Sequence, residues 1–295
     1  MIYILYNPKA NNENNDINII NISDNGVNVK KISLIDLDVP AFFAEVSEGD
    51  KVYICGGDGT LCRFANNSYG LDIPCPVFAL RSGTGNDFLN DIGQGKNDTP
   101  KDIRPFLKNL PEVRVNGQVV RCINGAGLGV DGAVCNGVEE FKKKTNKKKA
   151  NYTTIALKEL GYKYKRPNAK LTVDGKVYEY EDVWAMSTMK GKYYGGGMMV
   201  APGQDRESGK VSVMAMHGGS RLKTLAVFSK VKKGGHVAHT DMVEIIEGYE
   251  VSVEFDAPAY LQIDGEVYAD VLSYSVSCPC ENKEIKEEKE ALTEV

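Results

Sequence analysis

The sequence has 295 residues, of which 42% are hydrophobic and 26% are charged, and its formal net charge at pH 7 is −4. This composition is typical of a folded globular protein with one or two domains. The charge balance gives no overall attraction to nucleic acid, and no run of about 18 apolar residues predicts a membrane-spanning helix. The first residues lack the pattern of a secretory signal peptide, and the seven cysteines form no Cys-X-X-Cys motif. We therefore expect a cytoplasmic protein with reduced thiols.

Residues 1–6 predict a compact apolar strand that ends at Asn7-Pro8. Alternating apolar patterns predict two more strands, at residues 17–22 and 27–34, and residues 40–46 predict a short helix.

A glycine-rich loop follows the apolar run at residues 52–55, which predicts a buried strand. The loop is Gly56-Gly57-Asp58-Gly59, and Thr60 is the expected N-cap of a helix over residues 61–68. Glycines let a ligand approach the backbone, and a strand–turn–helix geometry directs free N–H groups at an anion. Because Asp58 would repel a bare anion, we predict a polyphosphate bound with a divalent cation, as in a nucleotide. An ordinary strand–helix turn is the alternative interpretation.

A second loop of the same kind follows the strand predicted at residues 76–80. It contains Gly83-Thr84-Gly85 and continues into Asn86-Asp87. Neighbouring parallel strands place the loops at their carboxyl ends side by side, where such sheets bind ligands. The two loops together therefore predict one site, although Gly83-Thr84-Gly85 alone is a weak signal.

The patterns divide the chain into two domains and a tail. A helix predicted at residues 99–110 and an exit strand at 112–116 complete a first domain over residues 1–116. Short alternating runs with turn signals then recur, for example across Asp174-Gly175, and predict a sandwich-like domain over residues 117–280. Residues 281–295 are predicted to be a charged tail.

Six lysines occupy residues 142–149 and predict a flexible basic loop. Near a bilayer, each lysine could contribute about 1 kcal/mol of attraction to anionic lipid. A solvated loop without a membrane role is the alternative. Residues 152–164 predict an amphipathic helix with an aromatic face, for which packing in the core is favoured over contact with lipid.

The two loops carry a resemblance. Gly56-Gly57-Asp58-Gly59-Thr60 followed by Gly83-Thr84-Gly85-Asn86-Asp87-Phe88 resembles the diacylglycerol kinase catalytic family, which includes sphingosine and ceramide kinases and soluble bacterial lipid kinases. Asn7-Pro8, Gly195-Gly196-Gly197-Met198, Ala201-Pro202 and Asp264-Gly265-Glu266 match further motifs of that family in order. The resemblance covers roughly residues 1–275. NAD kinases share the first motif but not the second in this form.

The resemblance implies a Rossmann-like α/β domain with a parallel sheet, followed by a C-terminal β-sandwich domain, with catalysis in the cleft between them. It implies ATP and Mg²⁺ as cofactors and a lipid substrate, with diacylglycerol the first expectation. Three carboxylates are expected to be catalytic, two of them at the metal: Glu266 as general base, with Asp58 and Asp87. The residues expected to bind the nucleotide are Asn7, Gly56, Gly57, Gly59, Thr60, Gly83, Thr84, Gly85 and Asn86.

Three positions depart from the family pattern. Arg63 stands where the family usually has glutamate, Asn116 where an acidic residue is common, and Ser208 where an aspartate precedes glycine. In some bacterial members that aspartate helps to hold a structural magnesium ion, which we therefore do not expect here. Two other functions stay open, an NAD kinase and a non-catalytic nucleotide- or lipid-binding relative. We expect peripheral membrane contact and no nucleic-acid partner, and a homodimer is compatible with the sequence.

Overall fold

The computed structural model describes residues 1–8, 28–82, 85–145 and 152–279. The chain divides into two compact units, residues 1–108 and residues 109–295. Among the described residues, no helix is both long enough and apolar enough to span a bilayer.

The first unit is built on a four-stranded sheet in the order β2-β1-β3-β4. Every neighbouring pair is parallel, which confirms the predicted α/β architecture. Ile4, Val52 and Ile54 are fully buried, because a parallel sheet covered by helices has no solvated face. The strands are β1 (Ile2–Tyr6), β2 (Val29–Ser33), β3 (Lys51–Gly56) and β4 (Val77–Arg81). The helices are α1 (Val39–Glu45), α2 (Asp58–Ser68), α3 (Asp87–Asp91) and α4 (Arg104–Leu107). The strand predicted at residues 17–22 lies outside the described residues.

The helix predicted at residues 99–110 is wrong for most of its length, since only Arg104–Leu107 is helical. Asp102 instead forms a bridge with Phe78 at the edge of β4. Its carboxylate accepts hydrogen bonds from the backbone N–H of Val77 (3.3 Å) and of Arg104 (3.1 Å). A short polar side chain that bonds the backbone in this way competes with helix formation.

The second unit contains a ten-stranded sheet with the path β14-β13-β10-β7-β15-β16-β5-β6, to which β8 and β9 are added through β15. All of its pairings are antiparallel, as predicted for the C-terminal domain. Its strands are β5 (Glu112–Val115), β6 (Gln118–Arg121), β7 (Gly125–Gly129), β8 (Ala169–Val173), β9 (Lys176–Tyr180), β10 (Val183–Met189), β13 (Val211–His217), β14 (Val243–Gly248), β15 (Glu250–Ile263) and β16 (Glu266–Ser277). A separate two-stranded ribbon pairs β11 (Tyr193–Tyr194) with β12 (Met198–Met199).

Strand β15 organises this sheet because its two halves pair with different strands. Its first half pairs with β8 and its last residues pair with β7, with an irregularity in register between Glu254 and Ala259. The helical segments described in the unit are α5 (Val130–Thr145), α6 (Tyr152–Lys158), a π-helical turn (Glu159–Lys163), α7 (Arg221–Phe228) and two 3-10 turns (Val231–Lys233 and Gly235–Ala238).

The predicted domain boundary after Asn116 differs from the division of the structure after residue 108. The predicted exit strand is β5, which pairs with β16 and β6 and so belongs to the sheet of the second unit.

Candidate active site

The first glycine loop passes directly from β3 into α2. Gly57 is the N-cap of α2, in an extended conformation (φ −85°, ψ −171°), and no side chain caps the helix. The prediction that Thr60 is the N-cap is therefore wrong, since the helix begins two residues earlier, at Asp58. No side chain caps the first turn of α2, and the helix dipole favours an anion at this end.

The second loop places a carboxylate in an equivalent position. Asn86 has a left-handed backbone (φ 58°) and is the N-cap of α3. Its side-chain oxygen accepts a hydrogen bond from the backbone N–H of Ser82 at 3.1 Å, which closes the loop. Asp87, the first residue of α3, is only 3% exposed. Gly83 and Thr84 lie outside the described residues, and Gly85 immediately precedes Asn86.

The structure brings the two loops together, as the sequence predicts. Gly56 pairs with Arg81 in the register of β3 and β4, so the two strands end at the same edge. The Oδ1 atom of Asp58 accepts a hydrogen bond from the backbone N–H of Phe88 at 3.0 Å. Asp58 thus ties the start of α2 to the residue that follows Asp87, which places both carboxylates at one end of the sheet.

A small cleft lies beside the first loop. Its polar lining consists of Asn7, Thr60, Arg63 and Asn67, and Leu34 is among its apolar lining residues. The Arg63 side chain is exposed, and its Nη2 atom donates to the carbonyl of Ile35 at 3.2 Å. The structure therefore places Asn7 and Thr60, two of the predicted nucleotide ligands, in one cleft with the arginine that departs from the family pattern.

Glu266 lies in the second unit, at the start of β16. It pairs with Ile263 across a two-residue turn formed by Asp264 (φ 46°) and Gly265 (φ 92°), and its side chain is exposed. Positive φ at both central residues is the geometry of a tight hairpin, which explains the Asp-Gly pair. An exposed carboxylate on a rigid turn is available to accept a proton from a substrate.

The Asp264 carboxylate anchors this turn. It accepts hydrogen bonds from three consecutive backbone N–H groups, those of Ile123 (2.6 Å), Asn124 (2.9 Å) and Gly125 (3.1 Å). In return, the N–H of Asp264 donates to the carbonyl of Gly125 at 3.0 Å. The turn that carries Glu266 is therefore fixed to the start of β7.

Two buried basic residues, Arg206 and Lys190, contact the carbonyl groups of the same segment, residues 123–124. No motif in the sequence points to either residue. The guanidinium of Arg206 donates to the carbonyl of Ile123, and the backbone N–H of Lys190 donates to the carbonyl of Asn124 at 2.8 Å. Lys190 is 3% exposed and Arg206 is 8% exposed, and burial lowers the pKa of Lys190. The only nearby signal in the sequence is Ser208, which departs from the family pattern and does not identify either residue.

A third buried charge was also missed. Asp131 lies in the first turn of α5 and accepts a hydrogen bond from the Ser187 hydroxyl. Burial raises the pKa of this carboxyl group. In the sequence it follows a run of small residues, which indicates a loop but not a buried acid.

The two remaining departures have local structural roles. Asn116 (φ 48°) and Gly117 (φ 76°) form the tight turn between β5 and β6. Ser208 donates its hydroxyl to the carbonyl of Asp205 at 2.8 Å and accepts from the N–H of Lys210 at 3.1 Å. Both residues therefore stabilise turns in which a carboxylate is not required.

Comparison with known proteins defines the class. Residues 1–115 match the family model described as the diacylglycerol kinase catalytic domain, and residues 125–280 match the YegS C-terminal NAD kinase beta sandwich-like domain. Residues 125–280 are more than half of the chain, which therefore belongs to the family with a YegS-type C-terminal domain, and its first 115 residues form a diacylglycerol kinase catalytic domain.

Individual relatives agree with this assignment. A "putative lipid kinase" of Staphylococcus aureus strain JH9 is 25% identical over 221 residues, which is 74% of this chain and 71% of that protein. A relative from strain USA300, also named a "putative lipid kinase", has the same identity and coverage. A solved structure of a "putative diacylglycerol kinase" from Bacillus anthracis superposes with a TM-score of 0.68 over 94% of this chain and 93% of that one. Its sequence is 18% identical, so it supports the fold.

The residues present fit a magnesium ion that is shared with a nucleotide. Among the described residues, no group of three or more histidine, cysteine or acidic side chains could hold a metal alone. Mg²⁺ bound with a nucleotide does not need such a group, because one or two carboxylates, phosphate oxygens and water complete its coordination. Asp58 and Asp87 are the carboxylates that would supply hard oxygen ligands to such an ion.

Proposed function

We propose that this protein is an ATP-dependent lipid kinase that phosphorylates a hydroxyl group of a membrane lipid, with diacylglycerol as the first acceptor to test. The observation that carries the proposal is the hydrogen bond from Phe88 to Asp58, which joins two glycine-rich loops in a chain of the diacylglycerol kinase family. Phosphoryl transfer depends mainly on positioning and on charge neutralisation, which such loops supply.

In this proposal the first unit binds the nucleotide. Backbone N–H groups at the start of α2 donate hydrogen bonds to phosphate oxygens, and Asn7 and Thr60 line the cleft beside them. Asp58 and Asp87 hold Mg²⁺, which neutralises charge on the phosphate oxygens when it is bound.

Glu266 is the proposed general base. An exposed carboxylate can take the proton from the lipid hydroxyl as the oxygen–phosphorus bond forms. The hydrogen bonds of Asp264 to Ile123, Asn124 and Gly125 hold the turn rigid, and a rigid turn keeps the base in position.

The test is transfer of labelled phosphate from ATP to diacylglycerol and to a total lipid extract. We expect a phosphorylated lipid product, and we expect Glu266→Gln to lower turnover by about 100-fold or more. Affinity for ATP, measured by calorimetry, should be unchanged in that variant, because Glu266 is not assigned to the nucleotide. Unchanged turnover in Glu266→Gln would remove this residue from the role of base.

The same assay tests the alternatives. Transfer of phosphate to NAD and not to lipid would favour an NAD kinase. Binding of ATP without transfer to any acceptor would favour a non-catalytic relative. Asn116 and Ser208 are the observations behind that second alternative, because each stands where a carboxylate is expected.

A further inference from the structure

The three most exposed large apolar side chains among the described residues belong to neighbouring helical segments of the second unit. Leu157, in α6, is 53% exposed, and Tyr162, in the π-helical turn that continues α6, is 68% exposed. Leu222, in the first turn of α7, is 81% exposed. Single exposed apolar residues are common, but a group of them on adjacent elements indicates a surface that binds a partner.

Hydrogen bonds place Tyr162 and Leu222 at one corner of the unit. Arg221, which immediately precedes Leu222, donates to the carbonyl of Leu160 at 3.0 Å and to the carbonyl of Tyr164 at 2.9 Å. These two carbonyls belong to the residues on either side of the Tyr162 segment, so the start of α7 is tied directly to the π-helical turn.

An exposed lysine follows each of the three apolar residues in sequence. The pairs are Leu157-Lys158, Tyr162-Lys163 and Leu222-Lys223, and all six side chains are exposed. We call these six residues the docking face. Each pair places a hydrophobic group beside an ammonium group that carries a flexible aliphatic stem.

The surroundings of the docking face are strongly basic. The described segments 142–145, 152–166 and 221–233 contain twelve lysines and arginines and one acidic residue, Glu159, although the whole chain has a net charge of −4. Within the docking face, Lys163 is paired with Glu159 at 2.9 Å and Lys223 is paired with Asp241. Lys158 has no ion pair within the described part of the chain, and the same is true of four lysines outside the docking face: Lys142, Lys165, Lys232 and Lys233.

We propose that the docking face binds the surface of an anionic lipid bilayer. Leucine and tyrosine side chains enter the interfacial region, and the adjacent lysines contact lipid phosphates. Charge complementarity favours an anionic partner, and the three apolar side chains favour a bilayer over a nucleic acid, which offers no hydrocarbon layer beneath its phosphates. The inference depends on the surface of this unit alone and does not require the proposed reaction.

Co-sedimentation of the full-length protein with vesicles tests the proposal. We expect tight binding to phosphatidylcholine vesicles that contain about 30 mol % phosphatidylglycerol, and binding at least about tenfold weaker to phosphatidylcholine alone. Binding to the anionic vesicles should weaken as salt is added. The double variant Tyr162→Ser with Leu222→Ser should bind the anionic vesicles at least about tenfold more weakly. Lys158→Glu should reduce binding in the same direction.

Val177→Ser is the matched control. Val177 is 50% exposed and lies in β9, which pairs with β8 and carries none of the six residues of the docking face, so this variant should bind as wild type does. Circular dichroism and the fluorescence of Trp184 verify that each variant is folded. Equal binding of wild type to both vesicle types, or unchanged binding of the double variant, would overturn the proposal. Retention on RNA without binding to vesicles would also overturn it and would assign the face to nucleic acid.

Turnover of diacylglycerol in uncharged detergent micelles separates this proposal from the proposed reaction. Loss of vesicle binding with micellar turnover retained in the double variant is the expected result. A wild-type protein that binds vesicles but transfers no phosphate in micelles would contradict the lipid kinase and leave the docking face supported.

Discussion

Gly56 and Gly59 lie in one loop but are required for different physical reasons. A Cβ atom on Gly56 would lie 2.3 Å from the Cβ of Thr60, which no pair of side chains tolerates. A Cβ on Gly59 would meet nothing within 4 Å. Neither residue has a positive φ, so the backbone conformation requires glycine at neither position. Packing against Thr60 therefore explains why residue 56 is a glycine. The fold gives no reason for a glycine at position 59, and close approach of the phosphates to the backbone is the remaining explanation.

This difference predicts opposite effects on stability. Gly59→Ala should raise the free energy of unfolding by about 0.5–1 kcal/mol, because alanine restricts the unfolded chain and fits the helical backbone. The same variant should bind ATP more weakly, because its methyl group occupies the space where the phosphates approach the N–H groups. Gly56→Ala is the comparison and should lose about 1–3 kcal/mol through overpacking against Thr60. Urea denaturation measures the stability of each variant, and calorimetry measures its affinity for ATP. Wild-type affinity in Gly59→Ala would contradict phosphate binding at this loop.

At the scale of elements, the turn between β15 and β16 contains the Asp264-Gly265-Glu266 motif and also joins two strands of the sheet. The Asp264-Gly265 turn is an ordinary feature of antiparallel sheets, and the sequence alone leaves open whether it is anything more. The structure adds the contacts of the Asp264 carboxylate with residues about 140 positions earlier. The turn is thus a long-range anchor between β15 and the start of β7, as well as the support of Glu266.

The anchor can be tested by substitution at Asp264. Asp264→Ala should lower the free energy of unfolding by roughly 3 kcal/mol, because three half-buried N–H groups lose a charged acceptor. Asp264→Asn keeps a residue that tolerates positive φ and retains one acceptor oxygen, so its loss should be about half as large. A loss near zero in Asp264→Asn beside a full loss in Asp264→Ala, measured by urea denaturation, would mean that the turn conformation matters and the carboxylate contacts do not.

Elements are predictable from the sequence where one local signal dominates. The strands that precede both glycine loops and the Asp-Gly hairpins follow from apolar runs and turn residues, and the structure contains them. The helix assigned to residues 99–110 is wrong because a tertiary contact decides the position of Asp102, and the N-cap assigned to Thr60 is wrong because α2 already begins at Asp58. Gly57 starts α2 ahead of Thr60, and Asp102 is held at the edge of β4. Arg206 and Lys190 could not be assigned, because their burial depends on strands that are distant in sequence.

At the scale of the whole molecule, each unit has its own sheet and its own buried core. The parallel sheet of the first unit uses only residues before 82, and the antiparallel sheet of the second uses only residues after 111. The single tryptophan, Trp184, is fully buried in the second unit, where its indole N–H donates to the carbonyl of Gly218 at 2.8 Å. Fluorescence therefore reports on one unit, whereas circular dichroism reports on both.

We therefore expect urea unfolding followed by the two probes to give transitions that do not coincide, as in other proteins with separate domains.

ATP with Mg²⁺ at about 100 times its dissociation constant should stabilise the unit that binds it by about 2.7 kcal/mol. Because the nucleotide is assigned to the first unit, the ligand should shift the circular dichroism transition and leave the Trp184 midpoint unchanged. A variant with Asp58→Asn and Asp87→Asn should lose that shift while its Trp184 midpoint stays at the wild-type value. Superimposable curves that move together with ATP would contradict independent unfolding, and a shift in the Trp184 curve alone would assign the nucleotide to the second unit.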